Sequence, residues 1–518
     1  MISLSQRSGA SSTERILDGC SHSIQRQLFV FNTQGRDVNR VVLLLVDGLR
    51  PDLAESMLAA GELPALQTML ATGSSARAIT AFPSTTSVAY LPFLTGCTPG
   101  QCNVPSIRWL DRSRYQGRWW KDREAVRSYC GYQAPRLDQD IASQVHSIFE
   151  LVPESLGIFT PVAKGLTEER DPSRGERKFW GAVAHYALWH QPSDDAVTRH
   201  LLRGIDRGWR FIFAQFPAVD GYSHQTTPDS DKVRRSLRLV DQTVGRVRER
   251  LRARGELDDT LILVVSDHGA SVVHTHLDLP DWFRAQGVRT MSHPIIWERD
   301  PLAAVMVAGN GSAMVYARPN ESRAERWPLS RLRDPKTFET SFDIVARLAA
   351  EPAVAFVAGE VRGGLRVVGA EGEADLTREE DGQIGYRRLS GDPLALGVDR
   401  VADEREWLEV SWDAPFPDAP FHLFDQFSAS RTGDLLVVAN EGYDFRKRYE
   451  VPEHKSGHGS MFRAHMQTPA WASQPGLITP LRTVDLFPAM LEWLDVPVPE
   501  GIDGEAVWSP RGSGAVVA

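Results

Sequence analysis

The sequence predicts an α/β protein built on a buried parallel sheet, with a small inserted α+β cap subdomain, and three observations carry that expectation. The runs Val41–Val46, Phe211–Gln215 and Leu261–Val265 have the length and composition of strands buried on both faces. Each is followed by acids or histidines: Asp47 after the first, Asp220 with His224 after the second, Asp267-His268 after the third. Segments of helical spacing separate the runs, and open sheets of this kind place their chemistry at the carboxyl ends of the strands.

The chain divides into four stretches. Residues 1–38 are polar and irregular and read as an N-terminal surface extension. Residues 39–333 read as the first part of a metal-binding α/β core. Within it, helices are expected after Pro51 and over Pro64–Leu70, because proline is tolerated in a first helical turn, and a strand over Ala76–Ala81. Phe82-Pro83-Ser84-Thr85-Thr86-Ser87 then opens an apolar helical run, Val88–Leu94, that stops at Thr95-Gly96. Such a helix end would offer unpaired N–H groups and its positive dipole end to an anion, and a hydroxyl placed there can attack phosphorus.

The stretch from Arg108 to Tyr132 is dense in rings and cations. It reads either as a flap packed on the core or as a substrate wall in which Trp109, Trp119 and Trp120 hold a planar or apolar group and Arg108 holds anionic oxygens. Tyr222, between Asp220 and His224, is a further candidate substrate contact. A strand over Ser155–Pro161, helices within Phe179–Asp206 and over Lys232–Arg254 and Pro280–Gln286, and a hairpin turning at Gly309-Asn310-Gly311 complete this part.

Residues 334–434 read as the cap: a helix over Phe342–Ala350, strands over Ala353–Val357, Gly364–Val368 and Gln383–Arg388, and an acidic, exposed stretch Gly391–Glu409. Residues 435–518 complete the core with a strand Leu435–Ala439, the loop Gly457-His458-Gly459 and a C-terminal helix Thr483–Leu494. Glycines on both sides of His458 let the backbone approach closely, as a ligand supplied from a loop requires.

A chain of 518 residues with net charge -9 is long enough for one large domain with a smaller one appended, and its charge argues against a nucleic acid polymer as partner. No apolar run reaches the eighteen residues of a spanning helix and no signal-like segment opens the chain, so a cytoplasmic protein is expected. The 4 cysteines are too few for a disulfide scaffold, and Cys97 with Cys102 lacks the second pair a zinc knuckle needs.

Asp47, Asp220, His224, Asp267, His268 and His458 together offer three carboxylates and three imidazoles, enough for two divalent cations. Mixed nitrogen and oxygen donors suit zinc, with manganese or iron as alternatives. Ser84 and Thr85 compete with Thr86 as the nucleophile, and His274, His276, His454 and His465 lie near the motif residues.

Asp47-Gly48-Leu49-Arg50, Phe82-Pro83-x-x-Thr86 with Thr95-Gly96, Asp220-x-x-x-His224, Ser266-Asp267-His268-Gly269 and Gly457-His458-Gly459 resemble the alkaline phosphatase superfamily, and within it the type I phosphodiesterase and nucleotide pyrophosphatase group. That resemblance implies a three-layer α/β/α sandwich. It also implies one cation on Asp47, Asp267, His268 and Thr86, another on Asp220, His224 and His458, and a covalent intermediate on Thr86. The group's usual phosphoryl-contacting Asn is replaced by Ile107, with Asn103 or Arg108 as substitutes.

The expected activity is hydrolysis of a phosphodiester or phosphoanhydride in a small phosphorylated metabolite, nucleotide or lipid precursor. A phosphomonoesterase or phosphonate hydrolase on the same two-metal site is the alternative within this chemistry, and a non-catalytic binding protein with a phosphatase fold is the alternative outside it. The C/S-x-P-x-R segment of sulfatases is missing.

Overall fold

The computed structural model describes residues 39–117, 124–321, 325–448, 450 and 453–506. The surface extension over residues 1–38, Trp119, Trp120 and the tail beyond residue 506 lie outside these. A six-stranded sheet forms the centre, in the order Ser74–Ile79, Gln467–Ala472, Thr260–Val265, Arg40–Val46, Phe211–Phe216, Ser155–Ile158. Arg40–Val46 is parallel to both neighbours, with Val41 opposite Phe211 on one side and Leu261 on the other. This parallel register brings the ends of the three apolar runs, and so their acids, to one edge.

The sheet is covered on both faces. Val41, Leu43 and Leu45 pack into one apolar cluster with Phe93, Phe487 and Leu491, while Val42, Leu44 and Val46 join Val197, Leu201, Val240 and Val244 of the helices Gln191–Arg207 and Asp231–Ala253. Alternate residues of one strand therefore serve opposite layers, which gives the three-layer α/β/α sandwich. Each fully buried Val or Leu contributes roughly 1.5–3 kcal/mol, so a charge is tolerated only where the strand ends. Gln467–Ala472 runs antiparallel between its neighbours and was not anticipated; its sequence, with Gln, Thr and Pro, lacks the apolar signature.

A nine-stranded sheet makes up the rest, in the order Thr290–Ser292, Ala303–Ala308, Ser312–Ala317, Leu435–Ala439, Val354–Val361, Gly364–Gly369, Gly372–Arg378, Ile384–Gly391, Arg400–Ala402. The strands of residues 354–402 thus extend a sheet that Ala303–Ala308, Ser312–Ala317 and Leu435–Ala439 begin, with Val357 opposite Val437. The stretch Gly391–Glu409, expected to be acidic and exposed, instead folds at its end into the strand Arg400–Ala402 and the helix Glu404–Val410. Trp407 and Leu408 are fully buried there, and their apolar area outweighs the surrounding charge.

The segment after Thr86 does not form the expected helical run Val88–Leu94. The helix begins only at Leu91 and ends at Thr95, and Ser87 adopts a left-handed φ of 76°, so no helix end stands at the Thr86 hydroxyl. Among the described residues no helix is long and apolar enough to cross a membrane.

Candidate metal centre

Asp47 follows directly on its buried strand, and its Oδ2 is held by two donors: the Tyr90 hydroxyl at 3.0 Å and the Gln215 amide at 2.8 Å. Gly48 permits the turn behind it. Its φ is +68°, and a Cβ there would stand 2.8 Å from the Asp220 side chain, so only glycine lets these strand ends approach. Asp267 accepts from the Gly48 N–H at 3.3 Å, and Ser266 accepts from the Leu49 N–H at 2.9 Å, tying the first and third strand ends together.

Three histidines face the same space with the same orientation. His268 Nδ1 lies 3.0 Å from the Gly269 carbonyl, His224 Nδ1 lies 2.8 Å from that of Ser456, and His458 Nδ1 lies 3.0 Å from that of Ser84. A carbonyl only accepts, so each Nδ1 carries a proton, and Nε2 is the atom that each ring turns to the site and offers to a metal once it is deprotonated. This is the arrangement by which backbone oxygens prepare imidazoles for a metal.

Ligand atoms of Asp220, His224 and His458 lie within 4.8 Å of one another, as do those of Asp47, Asp220 and His268. Asp220 reaches both groups and so lies between them. Asp267 Oδ2 stands 3.3 Å from His268 Nε2, and Asp47 Oδ1 stands 3.4 Å from it.

The electrostatics call for cations. Two carboxylates at this spacing repel by about 3.5 kcal/mol at an effective dielectric of about 20. Burial, and then Asp267 and Asp220, push the Asp47 carboxyl well above its ordinary range, and burial with Asp220 does the same to Asp267. Burial also acts against the charged form of Asp220, but His224, His458 and His268 outweigh it and hold this carboxyl below the usual range. Burial would lower the His224 imidazole, yet Asp220 at 3.2 Å lifts it to about 9. Asp220 Oδ1 and Asp267 Oδ2 are buried without a hydrogen-bond partner. Orphaned carboxylate oxygens facing three prepared imidazoles fit two divalent cations.

Of the competing hydroxyls, only Thr86 is turned into the site. Its Oγ1 lies 3.4 Å from Asp47 Oδ1 and 3.2 Å from His268 Nε2, and it is half-buried. Ser84 is fully buried and donates to the Ser460 carbonyl at 2.9 Å, and Thr85 is fully buried.

The candidate substrate contacts fare differently. Asn103 is tied to Ser430 at 3.1 Å and to the Arg431 backbone, away from the groups that converge on Thr86. Trp109 is completely buried, with its indole N–H on the Tyr129 hydroxyl at 3.0 Å; it is a core residue and cannot line a substrate wall. Tyr222 accepts from the His190 and Gln191 N–H groups and packs into the second apolar cluster. Arg108 lines a cavity described below.

His454 stacks on His224 with ring centroids 4.1 Å apart, whereas His465 is spent on Ser460 and Ser271 and His276 on Asp444 and Glu453. The main chain of His274 bonds to the Gly442 carbonyl. Tyr90 and Gln215 were missed. Gln215 carried a usable signal, as a lone amide in an otherwise apolar strand, whereas Tyr90 sits in an apolar run with nothing to mark it.

Residues 41–387, more than half of the chain, match the family model described as type I phosphodiesterase / nucleotide pyrophosphatase. The chain belongs to this family. Hydrolysis of phosphoric esters is the family's chemistry, and its members use a two-metal site. No curated protein sequence matches the chain.

Solved structures share the fold at low identity. Murine ectonucleotide pyrophosphatase / phosphodiesterase 5, as an inactive threonine-to-alanine variant in complex with AMP, aligns with a TM-score of 0.54 and 12% identity over 91% of this chain and 100% of its own. The phosphonoacetate hydrolase of Sinorhizobium meliloti, in complex with phosphonoacetate, gives 0.53 and 14% over 88% and 96%. The human form of phosphodiesterase 5 gives 0.52 and 12% over 90% and 97%.

Proposed function

We propose that this family member hydrolyses phosphodiester or phosphoanhydride bonds of a small phosphorylated metabolite, nucleotide or lipid precursor through a covalent phosphothreonine at Thr86. The observation that carries the reading is the Thr86 hydroxyl, the one candidate nucleophile turned toward Asp47 and His268. Asp47, Asp267, His268 and the Thr86 oxygen would hold one cation, and Asp220, His224 and His458 the other, zinc by donor type with manganese or iron as alternatives. When bound, the cations lower the pKa of the hydroxyl and offset charge on the transferring group.

Thr86 Oγ gives up its proton and attacks phosphorus as the bond to the leaving oxygen breaks. That oxygen leaves with a proton. Water then attacks the phosphothreonine, releasing the product and returning a proton to Thr86. Tyr90 and Gln215 hold Asp47 in place throughout, and the three backbone carbonyls fix the imidazoles.

The core in residues 39–333 and 435–518 carries this chemistry in our reading, with residues 334–434 as the cap beside it and the cytoplasm as the location. Phosphomonoester or phosphonate hydrolysis is the second reading, favoured by Arg108, which has no carboxylate partner among the described residues.

The test is turnover of paired aryl phosphate monoesters and diesters by zinc- or manganese-reconstituted protein, with Thr86→Ala beside it. The expected result is diester preference, a loss of at least about a thousandfold in the variant, and a phosphothreonine at residue 86 by mass spectrometry after quenching. Activity undiminished in Thr86→Ala would overturn the assignment.

A further inference from the structure

We propose that the basic pocket formed by Arg108, His293 and Arg446 is a subsite for a second anionic group, a carboxylate or a phosphate, carried on the leaving part of the substrate. The proposal rests on the phosphoester hydrolysis assigned above to Thr86 and narrows its substrate class.

The pocket is a cavity of about 200 Å3, small beside the several hundred Å3 usual for whole ligands. It suits a compact group rather than a nucleoside. Its cationic lining is only partly neutralised. Arg284 and Arg448 share Asp281, at 2.7 and 2.8 Å. Asp278 is spent on the backbone N–H groups of Asp281, Lys447 and Arg448. Arg446 has Glu450 at 3.2 Å.

Among the described residues Arg108 has no carboxylate partner. Its guanidinium is fixed by the Val307 carbonyl at 3.0 Å and the Cys130 sulfur at 3.3 Å, while its Nε is buried and unpaired. His293 Nδ1 is buried and unpaired as well.

A purely structural role for Arg108 would account for its two bonds but not for the second guanidinium facing it. Burial and then Arg108 depress Arg446, and burial with the same two arginines depresses His293 to about 3. Glu298 also lines the cavity, but from an exposed position at its rim; two guanidiniums gathered inside, one of them with an unpaired donor, are an anion's complement.

The pocket adjoins the metal centre by two routes. Arg446 pairs with Glu450, Glu450 with His454 at 3.0 Å, and His454 stacks on His224. The strand Ala303–Ala308 also runs from one to the other. Val305 and Val307 line the pocket, and two residues past Val307, about 7 Å along a strand, Gly309 lies so close to Thr85 and His458 that a Cβ would be 2.4 Å from one and 3.1 Å from the other.

The experiment uses metal-reconstituted full-length protein and phosphate esters whose three-carbon leaving group ends in methyl, carboxylate or phosphate. We expect wild-type kcat/KM to favour an anionic ending by about tenfold or more, chiefly through KM, and Arg108→Met to reduce that ratio by about tenfold; whichever ending gains most names the group. Arg446→Met serves if Arg108→Met fails to fold. No wild-type preference, or an unchanged ratio in the variants, would overturn the subsite.

Calorimetric binding of the same esters to Thr86→Ala keeps this test apart from the activity. Absent turnover by wild type would count against the hydrolase reading alone. Tighter binding of an anionic ester, lost with Arg108→Met, would still support the pocket, and equal binding of all three would refute it.

Discussion

Two buried aspartates in this molecule have opposite surroundings. Asp418 is completely buried and receives the Arg482 guanidinium at 2.6 and 3.0 Å. Asp267 is equally buried, yet one of its oxygens has no partner and its neighbours include Asp220 and, across His268, Asp47. The first arrangement holds the structure together; the second leaves charge uncompensated until something cationic arrives. A buried carboxylate marks function when the fold withholds its counter-ion.

The largest effect that would sharpen this contrast is on activity alone. Thr86→Ala is expected to lose at least about a thousandfold in kcat with no fall in Tm, because its hydroxyl bonds only to metal-site atoms. Arg482→Met should do the reverse: removing one partner of the buried pair costs about 3–5 kcal/mol, read by denaturant unfolding, while the remaining folded protein keeps its turnover.

Chelation probes the unpaired side. Metal at a thousand times its Kd contributes about 4 kcal/mol, and its removal should lower Tm by an amount that depends on pH. In the stripped protein His224, lifted to about 9 from 6.5, contributes stability that is whole below pH 6.5 and lost as pH rises through 9. The raised Asp47 and Asp267 act in the same direction, each favouring the folded state only while protonated. Tm of stripped protein should therefore fall between pH 6.5 and 9, and a flat profile would break the comparison.

Gly48→Ala is expected to cost about 1–2 kcal/mol for the left-handed backbone and to reduce metal affinity by pushing on Asp220. Arg387→Ala, on the exposed face of the second sheet where Asp375 already has Arg366 at 2.7 Å, should change stability by less than about 0.5 kcal/mol.

The sheet centre was legible because three short runs, apolar throughout or broken only by Gln215, each lead to an acid, and these acids emerge at its edge. The antiparallel strand Gln467–Ala472 was not, since a Pro-containing polar segment becomes a strand only when Thr260–Val265 and Ser74–Ile79 offer their free edges. Trp109 shows the same limit on the site. An aromatic beside arginines reads alike whether it lines a wall or fills a core, and only packing against Tyr129 and beneath Arg127 and Arg431 settled it.

Asp47, Asp220, His224, Asp267 and His268 could be singled out by residue type and position after buried runs, because a charge is expected only where such a run stops, and His458 by the glycines on either side of it. Which nitrogen each histidine presents, that Thr86 rather than Ser84 or Thr85 faces them, and that Arg108 and Arg446 line one cavity depended on contacts between residues far apart in the chain. Local sequence determines where a strand ends; the directions of side chains beyond it are set by which distant backbone carbonyls and charges the fold brings alongside.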